Sequence, residues 1–183
     1  MDGAPVDTPT TEGAMPPGRP GHGAAPAHEA VTALMTTFLE ATNRRDGATL
    51  EAILAPGYLH HWPFGHETVG AAAYLANLQH VAEVFPDLTV RADQIFASDD
   101  FGAMVWTATG TQRQPFLGFP PSDHPATWTG LFLHRLAGGQ IAETWTQADH
   151  LSRLQQQGDL ALPEATPAPA PGTDTGSSTG AAT

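Results

Sequence analysis

The sequence predicts an α+β fold in which a curved antiparallel sheet folds over three helices. Three observations predict it. Apolar residues in the first half recur at helical spacing, those in the second half alternate with period two, and helices followed by a run of strands mark an α+β chain rather than an alternating βαβ one. With 183 residues, 40% of them hydrophobic, the chain has the length of one domain.

Val31, Leu34, Met35, Phe38, Leu39 and Thr42 follow the i, i+3, i+4, i+7 rule and predict the first helix. Asn43 to Gly47 interrupts it, Asp46 caps a short helix over Ala48–Leu54, and Pro56-Gly57 stops that helix. Tyr58–Trp62 is a short strand halted by Pro63, and Thr68 is the expected cap of a third helix. That helix carries Val69, Ala72, Ala73, Leu75, Leu78, Val81 and Ala82 and ends near Phe85-Pro86. Leu88–Ala97, Ala103–Thr111, Ala126–Leu136 and Gln140–Gln147 read as strands, with turns at Ser98-Asp99-Asp100 and Ala137-Gly138-Gly139. Residues 112–125, with four prolines and Gly118, make a longer connection. Asp149–Gln157 reads as a closing helix stopped by Gly158.

Residues 1–27 and 163–183 are mixtures of Gly, Pro, Ala, Ser and Thr with too little apolar area to offset their ordering entropy. They read as disordered tails around a domain spanning 28–162. Seven arginines and no lysine face 19 acidic residues, for a net charge of −12. A phosphate backbone or an anionic membrane surface is therefore an unsuitable partner. The absence of cysteine excludes disulfides, thiolate metal sites and a thiol nucleophile. No apolar run is long enough for a membrane span, and Met1–Pro26 lacks the basic and apolar regions of a signal peptide. The expected location is the cytoplasm.

Several strings stand in a telling order: Tyr58-Leu59-His60-His61 with Gly65, Val84-Phe85-Pro86-Asp87-Leu88, Thr109-Gly110-Thr111, and Phe116-Leu117-Gly118-Phe119-Pro120-Pro121. Trp128-Thr129-Gly130, Gly139 to Trp145, Asp149 and Leu154 to Gly158 complete the series. In these pieces the chain, over about residues 28–160, resembles the SnoaL-like polyketide cyclase family of the nuclear-transport-factor-type cone superfamily. The resemblance implies a cone with an apolar pocket between the concave sheet and the helices. It also implies a homodimer through the sheet and a small apolar, polyketide-like substrate. The best-known members close a ring by an intramolecular aldol step, using an Asp as acid and base, without metal or cofactor. Such an ester cyclase of secondary metabolism commonly carries that Asp directly after the last-strand Trp. Here the position is Thr146, whose hydroxyl has no pKa near neutrality.

Side chains on a strand alternate faces. On the last strand one parity carries Ile141, Glu143, Trp145, Gln147 and Asp149, and the other Ala142, Thr144, Thr146 and Ala148. If this strand supplies acid–base chemistry, the Glu143–Asp149 face must point into the cone, or a bulge must re-aim one residue. Asp149 is then the candidate general acid or base, with Trp145 and Gln147 orienting substrate, although Asp149 can also be the cap of the closing helix. His60 and His61 are the candidate partners, and only one of two adjacent residues can enter the pocket. His134, on an apolar face with Trp128, Gly130, Phe132 and Leu136, is a further proton donor. A metal site at His60, His61 and His66 lacks suitable spacing and is not expected. Tyr58, Trp62, Phe85, Trp106, Phe116, Phe119, Trp128, Phe132 and Trp145 belong to the core. Those among them that reach the pocket would line it for a flat ligand, with Met104 and Trp106 as its floor and Phe116–Pro121 as its rim. Phosphate-loop and nucleophile-elbow motifs are missing from the sequence. Two functions fit: a cofactor-free enzyme of cyclisation, dehydration or isomerisation, and a cone that only binds a hydrophobic ligand.

Overall fold

A computed structural model describes residues 24–160. Helices α1 (Ala24–Arg44) and α2 (Gly47–Ile53) lead into strand β1 (Leu54–His61). A 3₁₀ turn (Pro63–Gly65), β2 (Glu67–Val69) and α3 (Ala71–Val84) follow. The meander β3 (Thr89–Ala97), β4 (Phe101–Thr111), β5 (Pro125–Ala137) and β6 (Gln140–Ala148) then runs to α4 (His150–Gln156). The expected tails lie outside the described residues, except that α1 begins at Ala24, inside the first of them. No described helix is long and apolar enough to cross a membrane.

The six strands form one sheet in the order β2-β1-β6-β5-β4-β3. Every pair is antiparallel except β1 with β6. That one parallel pair departs from the expected all-antiparallel sheet, because the meander returns to β1 from its far end. β1 also starts at Leu54, earlier than expected, and carries Pro56-Gly57 within it. Its short neighbour β2 pairs only with Leu59–His61, so the proline has no ladder partner to deprive on that edge, and the register against β6 shifts there.

The α1 stripe is buried as its spacing requires: Val31, Met35, Phe38 and Leu39 face the sheet. Asp46 caps α2, its carboxylate accepting from the Thr49 amide at 3.1 Å and the Thr49 hydroxyl at 2.6 Å. The cap of α3 is Gly70, at φ 84°, and not Thr68. Thr68 sits in β2, where its hydroxyl accepts from the Trp62 indole at 3.2 Å. Asp87 ties two of the sequence strings together, accepting from the amide and the hydroxyl of Thr111 at 2.7 Å each. The turn after α3 is thereby pinned to the end of β4.

The concave face presents Met104, Trp106, Ala108, Ala126, Trp128 and Phe132 to the helices. Phe38 and Tyr74 pack against each other over this face, with ring centroids 5.6 Å apart. Gly130 is required here: a Cβ at this position would overlap the Trp106 ring and the Gln147 carbonyl. Its absence lets the indole lie down on β5 as part of the concave surface. The convex face leaves Phe96, Phe101, Leu131 and Leu133 exposed.

Candidate functional site

A cavity of about 320 Å³ opens between the helices and the concave face. α3 contributes Tyr74, Asn77, Leu78, His80 and Val81, one helical stripe. The sheet contributes Val90, Trp106, Ala108, Trp128, Thr146 and Ala148, and the mouth is formed by Trp62, Pro63, Phe64, His66, Phe116, Leu117 and His150. Among the described residues, its lining includes no carboxylate, lysine or arginine. Its polar atoms are hydroxyls, one amide, indoles and imidazoles.

The strand parity resolves against the acidic face. A register shift between Arg135 and Leu136 bulges β6 at Ala142 and turns Ile141 inward together with Thr144, Thr146 and Ala148. Glu143, Trp145 and Gln147 lie on the convex face, so the inward Glu143–Asp149 face that acid–base chemistry on this strand would require is not formed. Asp149 is exposed and caps α4, accepting from the Ser152 amide at 2.9 Å. Trp145 stacks on His61 outside, at a centroid distance of 5.1 Å, and Gln147 is exposed.

His60 is the inward member of the histidine pair. It is fully buried in a cluster of near-parallel rings, its centre 4.0 Å from that of Trp62 and 4.9 Å from that of Tyr74. Its Nε2 lies 2.7 Å from the Thr146 hydroxyl and its Nδ1 2.7 Å from the Tyr58 hydroxyl. Of these three groups only Thr146 lines the cavity, so the chain Tyr58–His60–Thr146 opens through one hydroxyl. Burial holds the His60 imidazole well below the usual histidine range and pushes the phenols of Tyr58 and Tyr74 up. At neutral pH His60 is uncharged and the phenols are protonated. Two proton arrangements satisfy the chain. With Nδ1 accepting from Tyr58, Nε2–H donates to Thr146 and the Thr146 proton is free to point into the cavity. In the reverse arrangement Thr146 donates to Nε2 and offers its lone pairs instead.

His134 also faces inward but deeper, fully buried under Phe38 and absent from the cavity wall. Its Nδ1 pairs with the Thr144 hydroxyl at 2.9 Å, its Nε2 has no partner, and burial pushes it down to about 3. His61 lies on the convex face between Glu67 and Glu143, each 2.8 Å away, and these carboxylates hold its pKa above the usual value. The expectation that it lines the pocket is excluded by this position.

Of the residues expected to bind substrate, Trp62, Trp106, Phe116 and Trp128 line the cavity. Tyr58, Met104 and Phe132 are buried behind the wall. Sequence reasoning missed Tyr74 and Asn77 on α3, and Phe64, His66 and His150 at the mouth. The α3 pair had a readable signal, the i, i+3, i+4, i+7 set Tyr74, Asn77, Leu78 and Val81. Phe64 and His66 sit in and just after the 3₁₀ turn and His150 opens α4, where no periodicity marks them.

The SnoaL-like polyketide cyclase family matches residues 32–157. None of the curated proteins matches the chain. Among solved structures, TsrD from Streptomyces laurentii is 28% identical with a TM-score of 0.64, covering 72% of this chain and 97% of its own. IdmH from Streptomyces antibioticus, a proposed polyketide cyclase, is 29% identical with a TM-score of 0.62, covering 69% and 97%. AclR from Streptomyces galilaeus, a proposed hydroxylase, shares the fold at 24% identity and a TM-score of 0.63, covering 75% and 91%. The fold, its order of elements and the match over most of the folded chain place this protein in the SnoaL-like polyketide cyclase family.

Proposed function

We propose that the protein is a cofactor-free enzyme acting on an apolar, polyketide-like small molecule, by ring closure or a related isomerisation or dehydration. The observation that carries this reading is the Tyr58–His60–Thr146 chain, a neutral imidazole communicating with an apolar cavity through a single hydroxyl. For ring closure, a C–H bond beside a substrate carbonyl breaks. Its proton goes to the Thr146 oxygen as the Thr146 proton passes to His60 Nε2. The enolate then attacks a second carbonyl carbon of the same molecule, forming a C–C bond, and the proton returns by the same route to the new alkoxide. The depressed basicity of His60 makes that return favourable, and the transient imidazolium exists only beside the enolate that balances it. Trp106 and Trp128 provide flat apolar walls for the substrate. Two copies pair through the convex face, whose exposed Leu131, Leu133, Phe96 and Phe101 support such a contact.

The test is proton exchange. 1-Tetralone incubated with the protein in D₂O should exchange its α-protons faster than in buffer, and Thr146→Val should abolish the excess rate while leaving binding intact. The second reading is a binding module, favoured by the lack of a carboxylate in the cavity wall. Binding read by quenching of the cavity tryptophans, with exchange at the buffer rate, would select it.

A further inference from the structure

Behind the mouth of the cavity lies a buried cation. Arg153 on α4 is fully buried, and its guanidinium sits 5.5 Å from the Phe85 ring centre and 5.4 Å from that of Phe116. Nη1 donates to the side-chain oxygens of Gln112 and Gln157, both at 2.6 Å. Nη2 has no partner, and Arg153 makes no ion pair among the described residues; the acidic group that bears on it is Asp159. The remaining N–H, on Nε, points at Nδ1 of His150, 3.4 Å away.

The direction of that contact is fixed by chemistry. A guanidinium has donors and no acceptor, so the imidazole nitrogen facing it must present a lone pair. A proton on Nδ1 would be aimed at a proton on Nε. His150 therefore carries its hydrogen on Nε2, an atom without a hydrogen-bond partner among the described residues. The ring lies at the cavity mouth between Phe64 and Phe116, at centroid distances of 5.4 and 6.1 Å. Neither neighbouring ring can titrate, so the charged groups bearing on His150 are Arg153 and Asp149.

We propose that His150 contacts the substrate, its Nε2–H donating to a carbonyl or enolate oxygen at the mouth, with Arg153 as the positioning residue that holds it in this tautomer. The site thus selects a flat substrate with an oxygen acceptor near one edge, which deepens the reading given under Proposed function and rests on it. Burial, reinforced by the guanidinium, pushes His150 down to about 4, so the donor is a neutral imidazole throughout the physiological range.

Imidazole ¹⁵N NMR of the whole chain tests the tautomer without any ligand, the His150 signals being assigned by their loss in His150→Phe. The expected result is a bare Nδ1 and a protonated Nε2, unchanged between pH 5.5 and 8. A proton on Nδ1, or titration near 6.5, overturns the proposal. Arg153→Lys keeps the charge but removes the fixed Nε–H, and a folded variant should show a mixture of tautomers. If it retains the wild-type tautomer, Arg153 has no positioning role. Anthraquinone and anthracene, which share a ring frame and differ in two carbonyls, then test the contact. Quenching of the cavity tryptophans should show anthraquinone binding weakened about five-fold in His150→Phe, the loss of one hydrogen bond, with anthracene unchanged. Equal loss for both overturns the contact. If neither probe binds the wild type, the proposed small-molecule function falls, while the tautomer spectrum still decides the state of His150.

Discussion

His60 and His61 are joined by one peptide bond and live under opposite electrostatics. His60 faces the concave side, where it meets two aromatic rings, two hydroxyls and no charge. His61 faces the convex side, where two carboxylates flank it and Arg135 donates to one of them at 2.8 Å. Burial drives one pKa down and acidic neighbours drive the other up. This sheet separates its chemistry by face. On β6 and β1 the charges are outside, and what lies inside works with neutral donors and acceptors.

The largest effect should come from breaking the inner member of the pair. His60→Phe fills a similar volume but strands the hydroxyls of Tyr58 and Thr146. Tetralone exchange should fall by roughly two orders of magnitude or more, the scale of a lost acid–base group. His61→Phe should change exchange by less than two-fold. Equal losses in both variants would mean that the faces do not divide the chemistry as described.

Next in size is the pH dependence of stability, where the two faces carry opposite signs. His134 and His60 are depressed in the folded state, so the unfolded chain binds protons more readily below about 6.5. Their contribution is intact above that pH and is lost as pH falls toward the folded values, about 3 for His134. Between pH 6.5 and 5, His134 alone should cost roughly 1.5 kcal/mol. His61 is raised, so its contribution is present below about 6.5 and is lost as pH rises through its folded value. Urea unfolding at pH 8, 6.5 and 5 should show a net loss on the acid side. His134→Gln should flatten that slope, and His61→Gln should steepen it. A slope that neither variant changes would mean that other groups control acid stability.

The alternation itself was legible in the sequence, as were the four long strands and the buried stripe of α1. Which face of β6 turned inward was not. Both parities mix polar and apolar residues, and large Trp145 on the acidic parity outweighs two threonines by hydrophobicity alone. The outcome is set by register against β1, more than 80 residues earlier in the chain, and by the bulge at Ala142, neither of which leaves a local mark. His60 was legible as one of two alternatives because adjacent strand residues must diverge. His150 was invisible because its role depends on a buried arginine one turn along α4 and on rings from two separate turns.

A smaller effect is expected on the convex side. Glu143→Gln removes the carboxylate shared by His61 and Arg135 and should cost about 1 kcal/mol or less, the scale of a partly exposed ion pair. The His61 titration should move down toward 6.5, and tetralone exchange should stay within two-fold of wild type. A collapse of exchange would show that the convex cluster reaches through the sheet to the cavity.

The smallest effect concerns the one carboxylate at the border between the faces. Asp149 follows β6 directly, and as a helix cap its job is to accept the Ser152 amide. Asparagine caps a helix about as well as aspartate, whereas alanine costs about 1 kcal/mol. Asp149→Asn should therefore leave both thermal unfolding and tetralone exchange nearly unchanged, and Asp149→Ala should lower stability alone. An acid–base role would produce the reverse pattern, because asparagine cannot carry a proton to or from carbon. Exchange lost in Asp149→Asn with stability intact would move the catalytic carboxylate back to the end of β6, and would require α4 to release its cap when substrate enters.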